Sequence, residues 1–333
     1  MGEPLPAPQA PATTFAAMQQ RSVGATGLKV SRLGLGLMSW GSATDEHEAR
    51  DQLIAFHEAG GTLLDTAHVY GRGASEELLG RLLGDVVRRE DVVVATKAGF
   101  GVRRGERAYD ASRGYLVSCL DQSLRRLGMD HVDLWQLHVW DDVTPLDETL
   151  AALDHAVATG RASYVGISNY TGWQTAQAAT WQRAVPGRTP LASTQVEYSL
   201  LNRRVEDEVL PAADATGLGV LPYSPLGRGV LTGKYRGGTP SDSRGASDHA
   251  AMVETYLDER GRGIVEAVVR AADGLGWSPL EVALAWVRDR PGVTAPIVGA
   301  RTAAHLRAAL AVEDKTLPSE IGEALDDVSE PGT

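Results

Sequence analysis

Residues 32–41 read RLGLGLMSWG, a short apolar run broken by a serine, a tryptophan and a glycine. Gly34 and Gly36 supply two glycines of the dinucleotide fingerprint G-x-G-x-x-G, but Ser39 stands where the third belongs. An open, doubly wound sheet therefore lacks its signature at the place where it should begin. The chain beyond this run suggests a different architecture. Strand candidates recur at 62–67 (TLLDTA), 91–97 (DVVVATK), 132–138 (VDLWQLH), 163–169 (SYVGISN), 193–199 (STQVEYS), 219–225 (GVLPYSP) and 294–300 (TAPIVGA). Helical patterns lie between them, among them DEHEARDQLIAFHEAG, SEELLGRLLGD, PLDETLAALDHAVATG and VEDEVLPAADATG. Several open on Ser, Asp or Pro and close at Gly, as helix caps favour. The one long gap, after Leu226, holds a polar loop from Gly237 to Asp248 and then two helices. Eight strand–helix units predict an α/β fold, a closed (β/α)8 TIM barrel forming one domain over residues 21–330. The stretch RSVGATGLKVS (21–31) reads as a hairpin with Gly24 or Gly27 at its turn. Residues 1–20, rich in Pro and Ala, read as a flexible tail.

The totals limit the function classes. A net charge of −11 argues against a general nucleic-acid or anionic-membrane surface. No apolar run approaches membrane-spanning length, and residues 1–20 lack the basic and apolar regions of a secretion signal, so a cytoplasmic protein is expected. Cys119 is the only cysteine and can form no internal disulfide, and no Cys/His cluster has metal-ligand spacing, so no metal is expected.

In such a barrel, chemistry collects at the C-terminal ends of the strands. The second strand ends at Asp65 with Tyr70 beyond it, the third at Lys97, the fourth at His138, and the fifth at Ser168-Asn169. The sixth carries Gln195 and Glu197, and the seventh Tyr223-Ser224. A tyrosine is a weak proton donor at neutral pH, and an adjacent ammonium favours its phenolate and would lower its pKa. Asp65 would pair with Lys97 and keep it charged, while His138 could donate a hydrogen bond to a carbonyl oxygen. Together these residues form a general acid aimed at a developing alkoxide. The hydride must then come from a cofactor, because no side chain delivers one. Asn169 and Gln195 offer amide groups for a carboxamide, and Tyr223 offers a face for a ring. Met38, Trp40, Phe100, Trp140 and Tyr170 follow the strands and would wall a substrate pocket suited to apolar or ring-bearing carbonyls.

The motifs LLDTAHVYG, VVVATKAG, DLWQLHVWD, YVGISNY, QVEYSLLNR, LPYSPLGRGVLTGKY and APIVGARTAAHLRAAL, in this order, resemble those of the aldo-keto reductases. The resemblance runs from about Arg21 to about Leu310. It implies a barrel whose floor is closed by the N-terminal hairpin, with extra C-terminal helices, binding NADPH without a Rossmann domain. It implies Asp65, Tyr70, Lys97 and His138 as the catalytic tetrad and Tyr70 as proton donor. It implies Ser168, Asn169 and Gln195 as carboxamide ligands, Tyr223 as the stacking residue, and Ser224, Leu226, Gly227 and Arg228 as a loop over the pyrophosphate. Gly299, Arg301 and His305 would also serve the cofactor, Arg301 facing a 2′-phosphate and His305 either replacing an adenine contact or facing water. Where related bacterial members usually carry Gln and Asn, this chain has His305 and Ala309, which removes one expected adenine contact. The substrate would be a small carbonyl compound: aldehyde, ketone and keto-sugar stay open, as does the oligomeric state. Two other readings stand beside the reductase. One is a cofactor-binding regulator with little turnover, as potassium-channel β-subunits resembling this family suggest. The other is a Schiff-base aldolase using Lys97.

Overall fold

The computed structural model describes residues 18–103, 106–241, 243–247 and 250–331. The strands are β1 (Gln20–Ser22), β2 (Lys29–Ser31), β3 (Gly34–Gly36), β4 (Leu63–Asp65), β5 (Val93–Ala98), β6 (Phe100–Arg103), β7 (Glu106–Tyr109), β8 (Val132–Leu137), β9 (Ala162–Ser168), β10 (Leu191–Glu197), β11 (Gly219–Tyr223) and β12 (Ile297–Gly299). The helices are α1 (Glu46–Glu58), α2 (Ala74–Leu82), α3 (Arg113–Leu127), α4 (Leu146–Ala158), α5 (Gly172–Ala184), α6 (Val209–Thr216), α7 (Ala250–Glu254), α8 (Glu259–Leu275), α9 (Pro279–Arg288), α10 (Ala303–Leu310) and α11 (Ser319–Ser329). Among the described residues, β3, β4, β5, β8, β9, β10, β11 and β12 pair in that order as parallel neighbours, and β12 returns to β3 to close the barrel. Each of the eight runs proposed from the sequence overlaps one of these strands, and β5, β9 and β10 extend one or two residues beyond theirs.

Alternation along each short strand sorts side chains between two cores. Leu63, Ala95, Leu134, Ala192, Leu221, Ala295 and Ile297 point inward and meet Val23, Leu28 and Val30 from the β1–β2 hairpin. The hairpin thus plugs the N-terminal end of the barrel. Gly24 makes its turn at φ +55, and a Cβ there would collide with the Gly217 carbonyl. The outward residues of the same strands, such as Leu35, Leu64, Val94 and Trp135, pack under the helices in a second, larger core.

Caps set where the helices begin. Asp45 accepts from the Glu48 N–H at 2.9 Å to start α1, and Ser278 with Glu281 forms a capping box ahead of Pro279 in α9. Ser75 was expected to open a helix, but its hydroxyl turns inward to Thr66 Oγ1 and the Leu37 carbonyl, both at 2.8 Å, and Gly73 takes the cap position. Of the expected tail, residues 1–17 lie outside the described residues, whereas Met18 is buried and its N–H reaches the Ala59 carbonyl at 3.1 Å. The polar loop expected at 237–248 lies outside them at residues 242 and 248. Beyond it stand the two expected helices, α8 and α9, preceded by the short α7. The β6–β7 hairpin after the third barrel strand was not foreseen. Among the described residues, no helix is long and apolar enough to cross a membrane.

Candidate active site

Above the plugged floor, the inward positions become polar. Asp65 ends β4 and Lys97 lies in β5, both buried. The ammonium of Lys97 donates to Asp65 Oδ1 at 2.8 Å, to Oδ2 at 2.7 Å and to the Thr66 carbonyl at 2.7 Å. Burial alone would lower the pKa of this lysine, but the charge of Asp65 and its hydrogen bonds outweigh that and raise it. Gln195 donates from Nε2 to Asp65 Oδ1 at 2.9 Å, so the amide N–H expected to face a carboxamide is already engaged. Its Oε1 has no hydrogen-bond partner among the described residues.

Tyr70 is half-buried in a tight turn that runs through left-handed Gly71, Arg72 and Gly73 to α2. The Lys97 ammonium lies 5.2 Å from its ring centroid. Burial raises the phenol's pKa above its ordinary value; the charge of Lys97 opposes this but does not overcome it. This reverses the expectation of a lowered value. Sequence reasoning had the lysine's charge but not the desolvation, which here is the larger effect. His138 follows β8 and meets the rings of Tyr70 at 5.9 Å and Phe100 at 5.6 Å, both edge-on. Burial, helped by the Lys97 charge, pushes its pKa down to about 3, so its imidazole is neutral near pH 7. Its Nδ1 is buried without a hydrogen-bond partner among the described residues.

Asn169, just after β9, is one of few non-glycine residues with positive φ, at +58. It does not cap α5; Thr171 does, through a capping box with Gln174. The strained backbone aims the Asn169 side chain back across the mouth. Its Nδ2 donates to the His138 carbonyl at 2.9 Å and to Ser168 Oγ at 3.1 Å, while Oδ1 accepts from the Tyr223 hydroxyl at 2.8 Å. Ser168 Oγ in turn donates to the Gln195 carbonyl at 2.9 Å.

The loop after β11 takes left-handed conformations at Ser224, Gly227, Arg228 and Gly229, with Leu226 packed on the outer core. Arg228 is engaged: it pairs with both oxygens of Glu197 at 3.1 and 2.7 Å, and Tyr256 donates to the same carboxylate at 2.8 Å. Gly299 ends β12 beside Gly36 of β3. His305 is exposed in the first turn of α10, and Ala309 is buried in the core on its inner face. Arg301 and Arg228 lie close enough to Arg244 that, after burial, their charges are the next causes holding its pKa down. Arg244 had escaped sequence reasoning. It sits in the polar loop, where no periodicity marks it, and it makes no ion pair among the described residues. Gathered positive charge of this kind attracts anions.

Of the expected pocket walls, Met38 is 41% exposed and Phe100 lies between His138 and Tyr109. Trp140 stands edge-on to Tyr170 at 5.1 Å and to Trp173 at 5.4 Å, with Tyr170 buried beneath it. Trp173 and Tyr109, neither foreseen, are 59% and 57% exposed. Trp40 is a correction: it is 0% exposed, packed in the outer core with its indole N–H donating to Gln52 Oε1 at 3.0 Å. It walls no pocket. A tryptophan just past a strand end suits a rim or a core equally, and the buried glutamine that receives it could not be read in advance.

The arrangement offers a neutral phenol beside a fixed ammonium, a neutral imidazole and a cationic rim. The model of the Aldo/keto reductase family matches residues 32–330. The chain is 37% identical over 332 residues to an uncharacterized oxidoreductase of Bacillus subtilis (strain 168), covering 93% of this chain and 96% of that one. It is 37% identical over 294 residues to a probable voltage-gated potassium channel subunit beta of Oryza sativa subsp. japonica, covering 85% and 87%. It is 35% identical over 301 residues to the L-glyceraldehyde 3-phosphate reductase of Escherichia coli (strain K12), covering 88% and 86%. The chain belongs to the aldo/keto reductase family and is an NAD(P)H-dependent oxidoreductase that acts on small carbonyl compounds.

Proposed function

We propose that this chain is a cytoplasmic, single-domain NADPH-dependent carbonyl reductase in which Tyr70 is the general acid. The observation that carries the reading is the Lys97 ammonium, tied to Asp65 at 2.7–2.8 Å and set 5.2 Å from the Tyr70 ring. Burial keeps the phenol protonated at neutral pH, so the proton is present when it is needed. When bound, the nicotinamide supplies the hydride. The Tyr70 O–H bond breaks as its proton passes to the carbonyl oxygen, and the Lys97 charge stabilises the phenolate left behind. His138, neutral down to about pH 3, serves as a hydrogen-bond donor that orients the carbonyl rather than as a second acid.

The residues present suit a dinucleotide. Gln195 Oε1 is available to accept from a carboxamide, with Asn169 and Ser168 beside it. Tyr223 offers a ring face, and Arg228, Arg244 and Arg301 gather positive charge where a pyrophosphate or 2′-phosphate would be held. That third arginine supports NADPH over NADH. The aromatic rim of Phe100, Tyr109, Trp140 and Trp173 favours ring-bearing or apolar carbonyls. A lysine held charged by a carboxylate is a poor Schiff-base nucleophile, which disfavours the aldolase reading.

The test is NADPH and NADH oxidation against aromatic aldehydes, dicarbonyls, ketones and L-glyceraldehyde 3-phosphate, with Tyr70→Phe alongside. NADPH consumption lost in the Phe variant is the expected result; equal turnover by both proteins would refute Tyr70 as the acid. The relative named as a channel subunit motivates a second reading, a cofactor-binding regulator. Tight NADPH binding without turnover of any carbonyl would favour it.

A further inference from the structure

We propose that Arg126 is a positioning residue for the general acid: with Glu76 and Thr96 it fixes the Tyr70 turn against the strand that carries Lys97. The inference rests on Tyr70 acting as the acid. Arg126 lies at the end of α3, remote in sequence, yet its Nη1 donates to the His68 carbonyl at 3.1 Å, two residues before Tyr70. The N–H of the same His68 donates to the Lys97 carbonyl at 3.0 Å. One residue of the turn is thus held on one side by the lysine's own strand and on the other by Arg126. Three residues after Tyr70, Gly73 takes φ +101, and a Cβ there would collide with the Arg126 guanidinium. The guanidinium therefore backs the turn both before and after the acid.

What fixes Arg126 is a fully buried carboxylate. Glu76 Oε2 accepts from Arg126 Nη1 at 3.1 Å, and Oε1 accepts from Thr96 Oγ1 at 2.7 Å. Both Glu76 and Thr96 are 0% exposed. Thr96 precedes Lys97 in β5, its side chain pointing outward while the lysine points into the barrel. The chain of contacts therefore runs from the His68 carbonyl through Arg126, Glu76 and Thr96 to the residue next to Lys97. A buried ion pair is a weak source of stability, because apolar replacements of similar volume often serve as well. Here the pair does what an apolar pair could not: it grips a backbone carbonyl and so sets the turn's height above the lysine. The turn keeps short-range bonds of its own, Tyr70 N–H to the Ala67 carbonyl at 3.0 Å and Arg72 N–H to the Val69 carbonyl at 3.1 Å, but these shape the turn without fixing its height above the lysine. An acid must sit within hydrogen-bond reach of the atom it protonates, about 2.6–3.2 Å, and a misplacement of about 1 Å costs on the order of 10²-fold in rate.

The experiment is single-turnover hydride transfer, followed by the loss of NADPH absorbance, for wild type, Arg126→Met, Thr96→Val and Tyr70→Phe. NADPH affinity is measured by fluorescence and folding by thermal melts. Arg126→Met is expected to slow the transfer by roughly 10–10²-fold while the Kd for NADPH stays within about twofold. Because the Arg126 side chain is 21% exposed, an Arg126→Ala variant, which leaves room for the ion, is expected to recover part of its transfer rate in added guanidinium with no change in melting temperature, which a merely structural role would not allow. Thr96→Val, which removes one hydroxyl and keeps the shape, is expected to lower the rate in the same direction and covers the case in which Arg126→Met fails to fold. A lowered melting temperature with an unchanged transfer rate in both variants would overturn the inference while a dead Tyr70→Phe left the acid assignment standing. A Tyr70→Phe protein with full activity would instead remove the acid assignment, and this inference with it.

Discussion

Replacing Asp65 by asparagine tests the buried ion pair of the site. The Asp65 and Lys97 side chains are 4% and 0% exposed, and two of the three lysine hydrogen bonds end on this carboxylate. Asparagine keeps the volume but carries one acceptor oxygen where aspartate has two. Placed at Oδ1, that oxygen still accepts from both Lys97 and Gln195, but the new amide N–H₂ then faces the Lys97 ammonium where Oδ2 accepted at 2.7 Å. Removing one partner of a buried pair typically costs about 3–5 kcal/mol. The Thr66 carbonyl still accepts from Lys97, so a value near the lower end, about 3 kcal/mol, is expected. In a chain of this size that corresponds to a melting temperature lower by roughly 5 °C. Denaturant titration at constant m-value is the assay.

The pH dependence gives the sharper sign. In wild type the folded pKa of Lys97 lies above its ordinary value of 10.5, so its stabilising contribution is fully present below 10.5 and is lost as pH rises through the folded value. In Asp65→Asn the main influence opposing desolvation is gone, and the folded value falls below 10.5. The variant then gains stability as pH rises toward 10.5, so the gap between the two proteins is widest near neutrality and narrows in alkali. Removing the lysine as well, in Asp65→Asn/Lys97→Met, is expected to recover stability relative to the single variant, because no uncompensated charge remains. A single-variant cost under about 1 kcal/mol with no pH trend would show that Asp65 is not what holds the lysine's charge.

Trp40→Phe is expected to cost about 2–3 kcal/mol from the lost indole bond to Gln52 and the void left in a 0%-exposed site, with kcat/KM and substrate profile unchanged; a changed substrate profile would return Trp40 to the pocket wall. Arg244→Ala is expected to raise the KM for NADPH roughly tenfold or more, from the loss of about 1.5–3 kcal/mol of charged contact, and to leave that for NADH nearly alone. Equal losses for both cofactors would move Arg244 from the 2′-phosphate to the pyrophosphate. For His138 the folded pKa of about 3 lies below the ordinary 6.5, so its contribution to stability is present above 6.5 and is lost as pH falls toward 3. The kcat/KM profile should accordingly show no break near 6.5 from this residue, and His138→Gln should flatten part of the acid loss of stability.

What the sequence disclosed and what it hid differ by physical kind. The barrel was visible because burial on both faces forces short apolar runs, and eight of them punctuated by capped helices leave few alternatives. The β6–β7 hairpin was hidden because FGVRRGERAY is dominated by charges and shows no alternating apolar face. Ser75 was misread as a cap because a hydroxyl that closes a helix and one that ties two strand ends together look alike in sequence. The hairpin floor came through because Gly24 marks its turn and Val23, Leu28 and Val30 are the apolar residues it has to bury.

The site divides in the same way. Asp65, Lys97, His138 and Gln195 stood out because polar residues closing apolar strands need partners, and the topology brings those strands together. The tetrad's electrostatics did not follow from that placement. A lysine beside a tyrosine argues for a lowered phenol pKa if both are wet, and for a raised one if the phenol is dry enough. Which holds depends on how many neighbours exclude water, a quantity set by residues as far apart as His138 and Tyr223. The raised value keeps the phenol fully protonated near neutrality but makes it a weaker acid, so the proton's departure depends on the fixed ammonium beside it. In the proposed mechanism Lys97 acts chiefly by stabilising the phenolate after transfer, and the Asp65→Asn experiment probes that step because it weakens the same charge.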